Sequence, residues 1–329
     1  MLSKLKAFFA ANNIQRRLLL IISMFIFSSI ILVSLFSHLR FVADYTDQSA
    51  KDIQQVVEQV ALNVDTYIDE LARLCLSPYY NSSVMNYLDT RSSSSQEALD
   101  KRRSIEDYLR QVMITPREDI LRVYILSDAV YSSSKSSHSG LNSDYKSEEW
   151  YQNAQNTGDY IFLPAHFEET GSSANLVISI AKRLCSLQNN QKTVGVIRVD
   201  ANYNGIKAVC DRINVIEDGA LFIMDSSWNP VYQNSKLPAS ITNDDIRSTA
   251  ASSGYSTRRL DRATYIVNVE IIPSTNWRVI AINARNQVVK GANATLIFNM
   301  LMAVGMAALG VAISIFFVRR QLRPLYQTV

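Results

Sequence analysis

The chain has 329 residues, 47% of them hydrophobic, with a formal net charge of only +3. That length accommodates two domains of ordinary size, and so small a charge excludes the basic footprint of a nucleic-acid-binding protein. Three cysteines, Cys75, Cys185 and Cys210, lack metal-ligand spacing, which argues against a zinc site and leaves them as small buried thiols; a Cys185–Cys210 bridge is the alternative.

Residues 1–17 carry Lys4, Lys6, Arg16 and Arg17, and residues 18–36, LLLIISMFIFSSIILVSLF, hold 19 positions without a charge. The block is longer than the ~7–15 apolar residues of a signal peptide and runs into Ser37-His38-Leu39-Arg40 instead of a small-residue cleavage site, so it is expected to be an uncleaved anchor. From Phe41 to Leu76 the period becomes helical: Ile53, Val57, Val60, Val64, Tyr67, Leu71 and Leu74 recur at spacings of four and three, a heptad seam. The seam is expected to pack on a second copy in a parallel homodimer, with packing on its own domain as the alternative. Asn81, Ser82 and Ser83 break the run. A second amphipathic helix is expected from Ser95 to Met113, capped among Ser92–Ser95 and stopped by Pro116.

The period then changes to two. Strands are expected at 120–126, 129–133, 160–163, 176–184 and 193–200, then a helix at 202–212; a smaller second set falls at 220–225, 230–232, 255–258, 263–272 and 277–284, with a helix at 243–251. Strands clustered with few helices between them point to α+β: a long helix, then two successive mixed antiparallel sheets. Residues 295–318 are 24 uncharged positions, enough at ~1.5 Å per residue to span a ~30 Å hydrocarbon core. Arg319, Arg320 and Arg323 follow. Cationic flanks stay in the cytoplasm. Both termini are therefore expected inside and residues 37–294, about 258 of them, outside as a folded domain.

Several stretches carry a family resemblance. Glu148-Glu149-Trp150-Tyr151-Gln152-Asn153-Ala154 resembles a Trp-Tyr-x-x-Ala motif, Gly195-Val196-Ile197-Arg198-Val199-Asp200 a strand ending in Asp, and Leu221-Phe222-Ile223-Met224-Asp225 with Asn229-Pro230-Val231-Tyr232 a hairpin. Over roughly residues 41–290 the chain resembles the double Cache family of bacterial extracellular sensor domains. The resemblance implies two tandem PAS-like modules: stalk helices over 37–116, a membrane-distal module over 117–212 and a membrane-proximal one over 213–290. Arg323-Pro324-Leu325 resembles the start of a HAMP linker in residues 319–329. Gram-positive sensor histidine kinases share this layout, which implies a plasma-membrane receptor, a kinase beyond this chain and a response regulator as partner. Chemotaxis receptors and cyclic-dinucleotide enzymes share the outer half, and a non-sensing anchored surface protein is a further alternative.

The resemblance places a small-molecule ligand in the distal module. Trp150 and Tyr151 offer apolar faces with polar tips. Asp200, ending its strand, could hold an ammonium group or cap the following helix. Amino-acid-binding relatives carry Arg two residues before the Trp, where this chain has Glu148, and the upstream Tyr is matched loosely by Tyr145. Glu148 and Asp200 together predict a cationic ligand. Tyr124, Ser132, Ser133, Ser134 and His166 are further candidate linings, His166 reading better as a solvated loop residue. No phosphate loop, H-E-x-x-H or G-x-S-x-G occurs, and His38, His138 and His166 are scattered. No catalytic residue, metal or cofactor is expected.

Overall fold

The computed structural model describes residues 14–134, 141, 144–170, 173–211, 219–234, 243–250, 252–260 and 263–322. Arg323-Pro324-Leu325, Lys4, Lys6 and His138 lie outside them. The chain divides into two compact units, residues 1–49 with 285–329, and residues 50–284.

The first unit is helical. Helix α1, Ile14–Leu76, begins in it and continues into the second unit without a break, because no proline or glycine interrupts the run. From Ile21 onward α1 is long and apolar enough to cross a membrane. Met24 and Phe25 are about three-quarters exposed there, so the apolar surface is turned outward. The last helix, Arg285–Leu322, also exposes large apolar side chains, among them Leu301 and Val304; its apolar stretch among the described residues, Ile297–Ile313, is shorter. The two helices approach where Gly310 meets Ile26: a Cβ on the glycine would lie 3.5 Å from Ile26 Cγ2.

The second unit opens with the remainder of α1. A 3-10 turn, Ser77–Tyr80, follows, then α2, Ser82–Asp89, and α3, Ser95–Tyr108, which widens into a π-helical segment over Leu109–Ile114. The Asn81-Ser82-Ser83 break thus begins a helix: the Asn81 side chain accepts from the Val84 amide at 3.2 Å, a local N-cap. At α3 the Ser94 hydroxyl accepts from Glu97 N (3.2 Å), and the Glu97 carboxylate reaches back to Ser93 N (2.8 Å), satisfying amide donors in both directions.

Ten strands follow among the described residues. The first sheet holds β1 (Ile120–Leu126), β2 (Val130–Ser134), β3 (Ile161–Thr170), β4 (Ser173–Cys185) and β5 (Thr193–Asn202) in the order 2-1-5-4-3. Helix α4, Glu149–Thr157, packs on β3, β4 and β5; α5, Tyr203–Asp211, follows β5. Gly158 ends α4 at φ +72°, a left-handed position that disfavours a side chain. The second sheet holds β6 (Ala220–Met224), β7 (Pro230–Gln233), β8 (Gly254–Leu260), β9 (Ala263–Ile271) and β10 (Arg278–Ala284) in the order 7-6-10-9-8, with α6 at Asn243–Thr249. The second sheet thus repeats the first five strands later. Every neighbouring pair is antiparallel, and the fold class is α+β as expected.

One apolar core joins the stalk to both sheets. Val57, Val60, Val64, Tyr67 and Leu71 of α1 are buried with Ile125, Ile180 and Ile197 of the first sheet and Ile223, Val279 and Ala281 of the second, and Ile53 and Leu74 pack against them. The heptad seam therefore faces its own domain and is not available to a second copy. The physical reason is that each sheet turns an apolar face toward α1, and the seam is long enough to cover both. Two buried amides fix the register: Asn268 Nδ2 donates to Ala50 O (2.8 Å) and Gln54 Oε1 (3.2 Å), while Gln54 Nε2 donates to Val269 O (3.2 Å). Cys75, Cys185 and Cys210 are buried free thiols, so no Cys185–Cys210 bridge forms. Burial pushes the Cys210 thiol up to about 12.

Candidate functional site

Residues alternate faces along a strand. In the first sheet one face carries the core; the other carries Arg122, Tyr124 and Leu126 of β1 opposite Asp200, Arg198 and Val196 of β5, with Ser179 and Ala181 of β4 beside them. Helix α4 lies over this outer face and contributes Trp150, Tyr151 and Ala154. Tyr124, Tyr145, Trp150 and Tyr151 form one buried cluster with Leu126, Ala154, Ala181 and Val196. Tyr151 meets Tyr145 edge-on at 5.2 Å between ring centroids and Trp150 at 5.7 Å. Four of the six sequence-derived site residues are thus packed into one wall.

The other two, Glu148 and Asp200, do not stand as the pair of open carboxylates expected of them. Glu148 sits at the N-cap of α4 and accepts from the indole Nε1 of Trp150. Asp200 is 1% exposed, and its Oδ1 accepts from Arg198 Nε (2.7 Å) and Ser179 Oγ (2.6 Å). Its Oδ2 is buried without a hydrogen-bond partner among the described residues. Nor does Asp200 cap α5: Asn202 Oδ1 does so, accepting from Asn204 N at 2.8 Å. The charge argument for a cationic ligand is corrected here, since Arg198 already compensates Asp200.

Arg198 organises the site. Its guanidinium carbon lies 4.9 Å from the Trp150 ring centroid, a cation–π distance. Nη2 donates to Glu168 and to Ser179 Oγ (3.3 Å) and lies 3.1 Å from His166 Nε2. Burial alone would favour the neutral guanidine, but Asp200 and Glu168 more than offset it, and the group is held charged above its ordinary range. Burial likewise opposes ionisation of Glu168, yet the His166 hydrogen bond and the Arg198 charge hold its carboxyl below the usual range. His166 is no solvated loop residue. The pairing of β3 with β4 shifts between Leu163 and His166, at Pro164, which has no N–H to give the ladder. His166 Nδ1 lies 2.8 Å from Pro164 O, and its Nε2 lies 3.1 Å from Arg198 Nη2 and 3.4 Å from Glu168 Oε1. A parallel motif lies on β1, where Arg122 Nη1 donates to Tyr124 Oη at 2.8 Å.

Ser132 shares the Tyr124 face of the sheet, whereas Ser133 pairs with Val123 and points to the other side. Arg198, Arg122, Glu168 and Ser179 were not singled out from the sequence. A signal existed for the first two: Arg198 stands two residues before Asp200, and Arg122 two before Tyr124, so strand alternation alone puts each on its neighbour's face. An open groove of about 780 Å³ lies elsewhere, between the start of α3 and the β1–β2 turn, lined by Arg91, Ser95, Leu99, Arg102 and Tyr131 among others. It holds none of these groups.

The second sheet provides an internal control. The positions equivalent to Arg122, Tyr124, Ser179, Arg198 and Asp200 are Ala220, Phe222, Val267, Ile280 and Ile282, by the same register of edge-to-centre pairing. They are buried in an apolar cluster with Ile246 and Ala250 of the α6 segment. At these five positions the second sheet carries apolar side chains where the first carries Arg122, Tyr124, Ser179, Arg198 and Asp200; one pair further along the same face, Arg278 stacks over Trp228 at 4.9 Å.

The fold is shared with solved sensor domains. The ligand-binding domain of the Campylobacter jejuni chemoreceptor Tlp3, solved with L-valine, matches over 75% of this chain and 97% of its own at 15% identity, TM-score 0.54. The ligand-binding domain of the Pseudomonas fluorescens chemoreceptor CtaA, solved with L-isoleucine, covers 74% and 95% at 14% identity, TM-score 0.52. That of the Pseudomonas aeruginosa amino acid chemoreceptor PctC, solved with GABA, covers 71% and 99% at 11% identity, TM-score 0.51. At such identities the likeness is one of fold. No curated protein matches the chain. Residues 41–292 match the family model dCache_1, described as a Cache domain, across the stalk and both sheets. The chain belongs to the Cache domain family, and these residues are a double Cache sensor domain.

Proposed function

We propose that this chain is the ligand-sensing input region of a bacterial plasma-membrane receptor, with its small-molecule site on the outer face of the first sheet. The observation that carries the reading is the contrast between the two sheets: buried charge costs free energy, and Arg122, Arg198 and Asp200 stand where the second sheet has Ala220, Ile280 and Ile282. Retaining polar groups at that cost is the mark of a site. The three fold relatives were solved with L-valine, L-isoleucine and GABA, which supports a ligand of amino-acid size.

In this reading residues 18–36 and 295–318 both span the membrane, residues 37–294 are extracellular and both termini are cytoplasmic, because the basic residues flank the spans. The protein works as a homodimer, through a surface other than the buried heptad seam. Residues 319–329 begin a HAMP-like linker to a histidine kinase that addresses a response regulator; this chain itself does no catalysis. Binding shifts the receptor between two states by its differential affinity for them. β10 ends at Ala284 and the last helix begins at Arg285, so the chain passes from the second sheet into that helix with no linker. A chemoreceptor input is the second reading, favoured by the relatives, which are chemoreceptor domains.

The test is a thermal-shift screen of the full chain in detergent against amino acids, carboxylates, amines and sugars, with calorimetry on each hit. A hit should weaken about ten- to a hundredfold in Asp200→Asn, as the loss of a charge-assisted hydrogen bond of ~1.5–3 kcal/mol requires. A panel without a hit, or a hit indifferent to Asp200→Asn, would refute the site.

A further inference from the structure

The sequence offers a ligand cation a place between Trp150, Asp200 and the neighbouring carboxylates. In the structure a cation of the chain itself stands there. Arg198 is 2% exposed; its guanidinium faces the Trp150 ring at 4.9 Å, gives Nε to Asp200 at 2.7 Å, and gives Nη2 to Glu168 and Ser179 beside His166. An aromatic face, two carboxylates and a hydroxyl are the parts from which a receptor for an alkylguanidinium or alkylammonium ion is built. Nη1 donates to no described residue, so one edge of the fork is left over.

We propose that Arg198 is a tethered cation that fills the cation subsite of this module, so that the wild-type site rejects bare amines and guanidinium ions and takes only ligands that bring an anionic group to the remaining edge of Arg198. The inference rests on the reading of this face as the ligand site and sets its specificity. A second cation would have to displace a group held by two carboxylates, whereas an anion meets unused N–H donors. The equivalent place in the second sheet is Ile280, packed in an apolar cluster.

The test uses the full chain in detergent, with ethylguanidinium, propylamine and propionate each titrated to millimolar concentration and melting followed by circular dichroism. Arg198→Ala is expected to melt several degrees below wild type and to recover at least half of that loss with ethylguanidinium, saturably; wild type should show no shift with ethylguanidinium or propylamine. Recovery should vanish when Asp200→Ala is added. Should Arg198→Ala fail to fold, Arg198→Gln, which keeps the chain as far as Cδ and a neutral N–H donor, enters the same titration under the same criteria. An ethylguanidinium shift in wild type as large as in the variant, or a variant that ethylguanidinium does not restore, overturns the proposal. The two readings separate cleanly. Rescue of the variant with no wild-type ligand from any class keeps the tethered cation and refutes sensing at this face. A wild-type ligand of amine character without rescue does the reverse.

Discussion

Leu71 tests whether the stalk seam belongs to the domain core or to an interface between copies. It is 2% exposed within a single chain, among Ile125, Ile180, Ile197 and the other core residues. Leu71→Ala removes three carbons; at ~0.8 kcal/mol per buried methylene plus a cavity term, the cost is about 3 kcal/mol, within the ~2–5 observed for such changes. Alanine is at least as good a helix former as leucine, so none of this loss is local. For a unit of this size ~1 kcal/mol corresponds to ~2–4 °C, so Tm should fall by about 6–12 °C. Leu62→Ala, on the same helix but 59% exposed, is the control and should move Tm by no more than about 2 °C. Melting followed by circular dichroism at two protein concentrations tenfold apart is the assay. A Leu71→Ala loss no larger than that of Leu62→Ala, or one that shrinks at the higher concentration, would show that the seam is completed by a second copy and refute the packing argument.

Two further outcomes are expected. Gly205→Ala in α5 should destabilise by about 1–3 kcal/mol in spite of its better helix propensity, because the new Cβ meets the Tyr67 hydroxyl and lies 2.9 Å from Cζ of a ring tethered to Asp119 at 3.0 Å; Tyr67→Phe, which removes the hydroxyl and its tether but keeps Cζ, should relieve part of the clash, and a stabilised Gly205→Ala in urea unfolding would contradict it. In acid, burial opposes ionisation of Glu168, Asp119 and Asp128, but the His166 hydrogen bond to Glu168 together with the Arg198 charge, the Arg117 fork and the Lys101 ammonium respectively outweigh it and hold all three carboxyls below their usual range. A depressed folded value means the stabilisation is complete above the unfolded values near ~4 and is lost as pH falls through the folded ones, so Tm should hold from about pH 7 to 5 and drop below about 4; a Tm unchanged down to pH 3 would count against these pairs.

Much of the architecture was legible in the sequence because local periodicity reports which face is buried. The stretch from Ile120 to Leu126 was read with its observed bounds, and the two strand clusters predicted two sheets and the α+β class. The heptad spacing of Ile53 to Leu74 likewise announced an apolar seam on a long helix. What that seam touches was undetermined, since an apolar stripe fits a neighbouring helix and a sheet equally well; only the assembled sheets show it buried against them. Short helices at Asn81 and Glu149 went unread because one depends on an asparagine cap and the other is too brief for its period to stand out.

The site divides in the same way. Trp150 and Tyr151, adjacent in sequence and of a type suited to a cleft wall, pointed to the right helix, and Asp200 to the right strand. The sequence showed Glu148 and Asp200 as charges to be counted, and counting gave an anionic site. Charge in a folded protein is decided by what stands within a few ångströms. Glu168 and His166 lie some thirty residues from Arg198 along the chain and reach it only because antiparallel pairing and the offset at Pro164 bring β3 onto the same face. Composition and period thus determined the elements and their faces, while the partners of Arg198 and Asp200, and with them the electrostatic character of the site, were set by strand register, which no local stretch of sequence encodes.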